Sequence, residues 1–384
     1  MYLEELKKRN LPPLLMNQRG EKVDSVEKWR ERREEIKEIL ERECYGITPD
    51  VQPQVRAKIL MENPAAVCGK AVYRRILLEV DYNLYDRLAP GIPDSYSMFT
   101  DGALLMRQKR CLTFQINLTI PRSCQKAPVF IWIANTPLYS YEWMPIEEII
   151  DGGYAVASYF TEDIAYDRQN DVPQNLIFME TANHTDAWGG IGRWAWAASR
   201  VMDYLETVSE LDADRVAVMG ASRLGKTALW AGANDERFSL TVPVIDGTGG
   251  GALYRGNKKE TLDHLISTFP HWFCGNYQKY SGRTEELPFD GHFLLAMCAP
   301  RNIYICLGEE DIYADYESEI LAALAAGEVY RLYGMDGLVA EDKEITVPAK
   351  FPDGKIGMHI RRGTHYVSRH DWSDVMDYRD KHHV

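Results

Sequence analysis

Ser222 is the residue whose surroundings point most clearly to chemistry. The apolar run Val216–Met219 before it favours a buried strand, and residues 224–233 after it are rich in Ala, Leu and Lys, which favour a helix. Gly220 and Gly225 flank the turn between them. A serine at such a junction is held with its hydroxyl projecting outward, and the N–H groups that begin the helix can stabilise an oxyanion. The pattern therefore predicts a nucleophile for acyl transfer.

The same segment also fits a nucleotide site. Leu224 stands where the strict G-x-S-x-G elbow has its second glycine, and residues 220–227 satisfy the bare P-loop pattern G-x-x-x-x-G-K-[ST]. A P-loop normally closes the first strand of its domain, whereas about half of this chain precedes the motif, and no strand ending in a magnesium-binding aspartate stands out. We therefore favour a nucleophilic serine and keep magnesium-dependent nucleotide binding as the alternative.

An acyl-transfer serine needs a base, and in hydrolases built on such an elbow the acid and then the histidine follow it along the chain. We set aside histidines that precede Ser222, lie in the expected substrate-facing segment, lead into a helix or belong to the charged tail. Three then remain, namely His359, His365 and His370. His359 lies inside an apolar strand-like run, which is typical of a structural histidine, whereas His365 lies in the loop after that run. We favour His365 as the base.

Two aspartates could orient this base. Asp311 follows the apolar run that ends at Leu307, which is the usual place for the acid, and it is our first choice. Asp246 ends the preceding apolar run and is followed by glycines, so it is either the acid or a turn aspartate that binds local N–H groups. Spacing alone does not decide between them.

The elements that must position these residues alternate along the chain. Two alternating runs, 72–82 and 111–120, predict antiparallel strands, and from Pro128 onward continuous apolar runs predict strands buried on both faces: 129–134, 154–160, 215–219, 238–245 and 302–307. Helices are predicted at 25–43, 146–151, 191–207, 262–268 and 317–326. This order predicts a mostly parallel sheet with helices on both faces, as in the α/β-hydrolase fold. We expect one domain over residues 1–384, with an N-terminal helical and β extension to about residue 125.

Charge and composition exclude several classes of function. The formal net charge of −13 argues against a nucleic-acid partner, and no apolar stretch is long enough for a membrane span. The charged start of the chain predicts a cytoplasmic location. The seven cysteines are scattered without a C-x-x-C pair, so we expect neither a disulfide framework nor a zinc site, and we expect no other metal or organic cofactor.

Several motifs together resemble the glucuronoyl esterases, α/β-hydrolases that cleave esters of (4-O-methyl)glucuronic acid in xylan. The segment Gly220–Lys226 is similar to the family's G-x-S-R-x-G-K elbow, and the resemblance extends over about residues 185–375. It implies that Ser222 is the nucleophile and His365 the base. It also implies that Arg223 holds the oxyanion through its N–H and guanidinium, and that Lys226 reaches hydroxyls of the uronate ring.

Two departures from the family pattern bear on the site. Ile245 stands where much of the family has its acidic glutamate, whereas Asp311-Ile-Tyr313-Ala-Asp315 is similar to the Asp-x-Trp-Ala-Asp segment of other members, which supports Asp311. His271 replaces a sugar-contacting glutamate before the pair Trp272-Phe273. Trp272 and Tyr313 are candidate sugar-stacking rings.

The expected function is that of a serine carbohydrate esterase acting on glucuronoyl esters of xylan-derived saccharides through an acyl-enzyme. Its expected partner is a small-molecule or oligosaccharide ester substrate. An acetyl esterase acting on xylo-oligosaccharides is one alternative. A catalytically inactive sugar-binding protein on the same fold is the other, because the usual glutamate is missing.

Overall fold

A ten-stranded mixed sheet forms the centre of the molecule. The computed structural model describes residues 2–51, 53–81, 111–135, 142–169 and 184–384. The strands are β1 (Gln54–Ala66), β2 (Ala71–Asp81), β3 (Cys111–Pro121), β4 (Ala127–Ala134), β5 (Ala155–Phe160), β6 (Leu211–Ala221), β7 (Phe238–Val244), β8 (Asn302–Gly308), β9 (Ala349–Phe351) and β10 (Ile356–Arg361). Their order across the sheet is β1-β2-β3-β5-β4-β6-β7-β8-β10-β9.

The sheet has an antiparallel part and a parallel part. On one side of the sheet the pairing is antiparallel, between β1 and β2, β2 and β3, and β3 and β5. From β5 through β4, β6, β7 and β8 to β10 all pairs are parallel, and β9 returns antiparallel at the far edge. The predicted antiparallel start and parallel remainder are thus confirmed. Tyr82, the predicted end of the first strand-like run, lies outside the described residues.

Helices cover both faces of this sheet. Tyr159 of β5 donates its hydroxyl to the carbonyl of Trp194 at 2.6 Å, and Trp132 of β4 packs against Trp372 with ring centroids 5.3 Å apart. Because Trp132 is paired with Ser158 and side chains alternate along a strand, Tyr159 and Trp132 point to opposite faces. The α-helices are α1 (Tyr2–Lys8), α2 (Val26–Leu40), α3 (Ile146–Asp151), α4 (Gly190–Leu205), α5 (Arg223–Asn234), α6 (Leu262–Thr268), α7 (Gly291–Met297), α8 (Tyr316–Leu332) and α9 (Arg369–His382). The predicted fold class is therefore confirmed.

The N-terminal helix α2 is anchored to the α/β part. Ser25 caps it by accepting the N–H of Lys28 at 3.3 Å. Trp29 is buried on its inner face. Arg33 donates to the carbonyls of Ala233 and Met297 at 2.6 and 3.0 Å, which ties α2 to the ends of α5 and α7. None of the described helices is long and apolar enough to cross a membrane.

The parallel strands bring the predicted reactive residues to one edge of the sheet. Ser222 follows β6, Asp246 follows β7, Asp311 follows β8 and His365 follows β10. Because the carboxyl ends of parallel strands lie at the same edge, residues far apart in sequence meet there.

Candidate active site

Ser222 forms the turn between β6 and α5 and has a strained backbone. Its φ and ψ are 59° and −126°, a conformation that costs a non-glycine residue on the order of 1–3 kcal/mol and persists only where the surroundings impose it. The N–H of Ser222 donates to the carbonyl of Val244 at 2.8 Å, which fixes the turn to β7. α5 directs its N-terminal N–H groups and the positive end of its dipole toward this serine.

The two flanking glycines are required by close packing. A Cβ on Gly220 would lie 2.3 Å from the carbonyl oxygen of Leu224, and a Cβ on Gly225 would lie 2.7 Å from the Cβ of Asp246. Leu224 itself is fully buried in the core. The second glycine of the elbow is therefore displaced by one position because residue 225, and not 224, is the one pressed against β7.

His365 and Asp311 form a hydrogen-bonded pair. Nδ1 of His365 lies 2.7 Å from Oδ2 of Asp311, while Oδ1 accepts the N–H groups of Tyr313 and Ala314 at 2.8 and 3.0 Å. Burial raises the pKa of Asp311, but the hydrogen bond and charge of His365 and the two N–H groups outweigh it, so this pKa is lowered. An ionised Asp311 accepts the Nδ1 proton and leaves Nε2 of His365 as the basic nitrogen.

Asp246, the other predicted acid, has different partners. Its Oδ2 accepts the N–H of Gly251 at 2.6 Å, and its carboxyl lies beside that of Glu319, whose Oε1 accepts the N–H of Gly247 at 3.1 Å. Both carboxyls are fully buried, and burial raises the pKa of each, most strongly that of Glu319. Of the two candidate acids, the structure places Asp311 at His365 and Asp246 beside the buried carboxyl of Glu319.

Arg223 belongs to a cluster around Asp167, a residue that the sequence reasoning missed. Nη1 of Arg223 binds Oδ2 of Asp167, and Oδ1 of the same carboxylate is bound by Nε2 of His271 at 2.8 Å and by Nε1–H of Trp272 at 2.6 Å. Burial raises the pKa of Asp167, but the hydrogen bond from His271, the charge of Arg223 and the bond from Trp272 together lower it. The one sequence signal for Asp167 was its place shortly after the strand-like run that ends at Phe160.

The two candidate stacking rings differ in exposure. Trp272 is only 3% exposed, and its ring stacks on Phe269 with centroids 3.8 Å apart. The stacking on Phe269 and the N–H bond to Asp167 argue against its expected role as a sugar-stacking surface. Tyr313 is 44% exposed, and its ring centroid lies 5.2 Å from that of His365. It therefore presents an aromatic surface beside the base.

Lys226 is buried, with only 2% of its surface exposed. Its ammonium donates to Oε2 of Glu260 at 2.8 Å and to the backbone carbonyl of Asp246. The sequence reasoning did not identify Glu260. The resemblance implies that Lys226 reaches substrate hydroxyls, whereas in the structure its charge is neutralised by this carboxylate. An ammonium held in this buried ion pair does not match the phosphate-binding lysine of a P-loop, which argues against nucleotide binding.

The other two candidate bases lie outside this arrangement. His359 is buried in β10 between Asp371, at 2.8 Å from Nε2, and Asp374, at 3.5 Å from Nδ1, as expected of a structural histidine. His370 is an exposed residue of the first turn of α9. Of the three candidate bases, it is His365 that the structure pairs with one of the two predicted acids.

One group in the described part of the chain has metal-ligand spacing. Ligand atoms of Cys306, His359 and Asp371 lie within 4.8 Å of one another. Arg361 donates to both oxygens of Asp371 at 3.1 Å, so this carboxylate already has a cationic partner. The group fits an internal ion-pair network that joins α9 to β10 better than a metal centre. All seven cysteines are free thiols.

Comparison with known proteins places this geometry in a family. A sequence model of the fungal glucuronyl esterases matches residues 105–334. A carbohydrate esterase of an unknown prokaryotic organism is 33% identical over 400 residues, which cover 98% of this chain and 90% of that protein. A 4-O-methyl-glucuronoyl methylesterase of Cerrena unicolor is 32% identical over 279 residues, or 67% of this chain and 58% of the relative.

Solved structures agree with these sequence matches. A glucuronoyl esterase from Solibacter usitatus superposes with a TM-score of 0.80 at 28% identity, over 96% of this chain and 97% of that one. A promiscuous CE15 esterase from a marine bacterial metagenome gives the same TM-score at 29% identity, over 97% and 96% of the two chains. The family model covers more than half of the chain, and the prokaryotic relative covers nearly all of it. The chain therefore belongs to the glucuronoyl esterase family of carbohydrate esterases, which are serine hydrolases on the α/β-hydrolase fold.

Proposed function

We propose that this chain hydrolyses (4-O-methyl)glucuronoyl esters of xylan-derived saccharides, with Ser222 as nucleophile, His365 as base and Asp311 as the acid that orients it. The observation that carries the proposal is the 2.7 Å hydrogen bond between His365 and Asp311, at the sheet edge where Ser222 precedes α5 in a strained turn. The substrate class is supported by the Cerrena unicolor relative, a 4-O-methyl-glucuronoyl methylesterase.

The reaction takes two steps of the same kind. In the first, Oγ of Ser222 attacks the ester carbonyl carbon, its proton passes to Nε2 of His365, and the alcohol leaves with that proton. In the second, His365 takes a proton from water, the resulting hydroxide attacks the acyl-enzyme, and the proton returns to Oγ as the uronic acid is released. Asp311 stabilises the imidazolium that forms in both steps, because it accepts the Nδ1 proton.

Negative charge develops on the former carbonyl oxygen during each attack. The N-terminus of α5 faces the nucleophile, and its N–H groups and dipole stabilise this oxyanion. The guanidinium of Arg223, the residue next to Ser222, adds a positive charge that acts more strongly on the transition state than on the neutral ester. Tyr313 supplies an exposed ring beside His365 on which a sugar can stack.

The test compares the wild type with Ser222→Ala on a methyl or benzyl glucuronate ester and on a small acetyl ester. We expect cleavage of the glucuronate ester and a loss on the order of 10³-fold or more in the variant. Ser209→Ala, which alters an exposed serine away from the elbow, is the matched control and should keep wild-type activity. Cleavage of the acetyl ester alone would discard the substrate class and keep the mechanism. Sugar binding without turnover of either ester would support the inactive sugar-binding protein instead.

The cytoplasmic location expected from the sequence stays a prediction. If it holds, the substrate is a small soluble saccharide and not the xylan polymer. Fractionation of the source cells, followed by detection of the protein, tests it.

A further inference from the structure

Asp167 joins two separate parts of the site. It lies in the short segment after β5, 56 residues before Arg223 and 104 residues before His271 in the chain. Oδ1 is held by two donors, Nε2 of His271 and Nε1 of Trp272, so Oδ2 is turned toward Arg223. The side chain of Asp167 is only 8% exposed, and a carboxylate fixed by three donors in this position cannot rotate away from the arginine.

The guanidinium of Arg223 needs such a support. A free arginine side chain samples many rotamers, and a cation that stabilises a transition state is effective only if it is already in place. Trp272 gives Arg223 a second contact, because its ring centroid lies 5.2 Å from Cζ of the guanidinium. The carboxylate and the indole together fix the direction of a side chain whose backbone adjoins the nucleophile.

We propose that Asp167 is a positioning residue for ester hydrolysis, which binds Nη1 of Arg223 and holds its guanidinium where charge develops on the ester oxygen. The inference rests on the proposed role of Arg223 and adds a residue that acts through it. Asp167 acts on the rate of the chemical steps, because the guanidinium interacts most strongly with the oxyanion and less with the neutral ester.

A double-mutant cycle tests whether Asp167 acts through Arg223. Asp167→Asn keeps the shape of the side chain and removes its charge. We expect kcat to fall about 10-fold or more with KM within about threefold, because a misplaced group costs rate and not ground-state binding. In an Arg223→Gln background the same change should cost less than about twofold, because the group that Asp167 positions is already gone.

The matched control is Asp235→Asn. Asp235 forms a partly buried ion pair with Arg237, with Oδ2 and Nη2 2.7 Å apart and a carboxylate side chain 11% exposed, at the opposite end of α5. This variant should keep wild-type kcat. Equal losses from Asp167→Asn in both backgrounds, a rise in KM alone, or an equal loss in the control would overturn the proposal. If Asp167→Asn does not fold, the cycle is repeated with Asp167→Glu, for which we expect a smaller loss of kcat.

A second readout separates this proposal from the proposed substrate. A fluorophosphonate forms a bond between phosphorus and Oγ of Ser222 and releases fluoride, while His365 takes the serine proton, so the probe needs no sugar recognition. We expect Asp167→Asn to slow this labelling about 10-fold or more, as measured by mass spectrometry of the intact protein. Slower labelling with no turnover of any ester by the wild type would retain Asp167 as a positioning residue and reject the substrate class. Unchanged labelling would overturn the role of Asp167.

Discussion

Asp311 and Asp246 show how hydrogen-bonding partners separate two aspartates with similar positions in the sequence. Both follow parallel strands, yet only Asp311 binds His365, and its pKa is lowered, whereas burial raises the pKa of Asp246 beside Glu319. An ionised carboxylate is what a catalytic imidazole requires, and burial that raises the pKa of a carboxyl works against ionisation.

We predict that Asp311→Asn lowers kcat by about 10³- to 10⁴-fold, because an amide no longer enforces the tautomer of His365 with a basic Nε2. Asp246→Asn should keep activity within about 10-fold, since the amide can still accept the N–H of Gly251 and bind Glu319. The measurement is kcat on the glucuronate ester for both variants at one pH near 7. A greater loss from Asp246→Asn would show that the structure's pairing is not the catalytic one.

The residues that the sequence did not reveal are those whose role depends on long-range contacts. Ser222 was identifiable from the local pattern of its strand-to-helix turn, and Asp311 and His365 from their order after it, each following a strand-like run. Asp167 has no such pattern, since its partners come from α5 and from the 3₁₀ turn Pro270–Trp272. The burial of Trp272 was missed for the same reason, because an indole looks identical in sequence whether it faces a sugar or Phe269.

At the scale of elements, the sequence predicted where strands and helices lie better than how they are arranged. The predicted helices 262–268 and 146–151 coincide with α6 and α3, since turn residues bound them. Helix α8 extends to Leu332, beyond the predicted end at residue 326. The position of β5 between β3 and β4 had no local signal, because a crossover is decided by packing in the folded chain.

The crossing of α5 over β7 gives a prediction at this scale. Gly225→Ala places a Cβ 2.7 Å from the Cβ of Asp246, so α5 must move away from β7, which costs about 1–3 kcal/mol of unfolding free energy. In Gly327→Ala, inside α8, the new Cβ would lie 3.6 Å from its nearest neighbouring atom. It should be neutral or stabilise by about 0.5–1 kcal/mol, through helix propensity. Urea unfolding of both variants measures the difference, and equal free energies would contradict close packing at the elbow.

At the scale of the whole molecule, pH couples to stability through the buried pair of Asp246 and Glu319. The glycines around it leave little room for larger side chains, since a Cβ on Gly251 would lie 2.7 Å from Oε2 of Glu319. Burial raises the pKa of Glu319 well above its ordinary value of 4.5, and the charge of Asp246 raises it further. The folded protein therefore keeps a proton that the unfolded chain releases. Stability from this group is fully present below about pH 4.5 and is lost as pH rises toward the folded pKa, by up to about 1.4 kcal/mol per pH unit.

Glu319→Gln tests this coupling, because an amide resembles the protonated carboxyl and does not titrate. It can still accept the N–H of Gly247 and donate to Asp246. We expect the unfolding free energy of the variant, relative to the wild type, to increase between pH 5 and pH 8, since only the wild type must keep a proton against a rising pH. Urea unfolding at both pH values measures this difference. Glu317→Gln, on an exposed position of the same helix, should leave the pH dependence unchanged. Parallel pH dependences for wild type and Glu319→Gln would mean that the pair does not hold its proton in the folded protein.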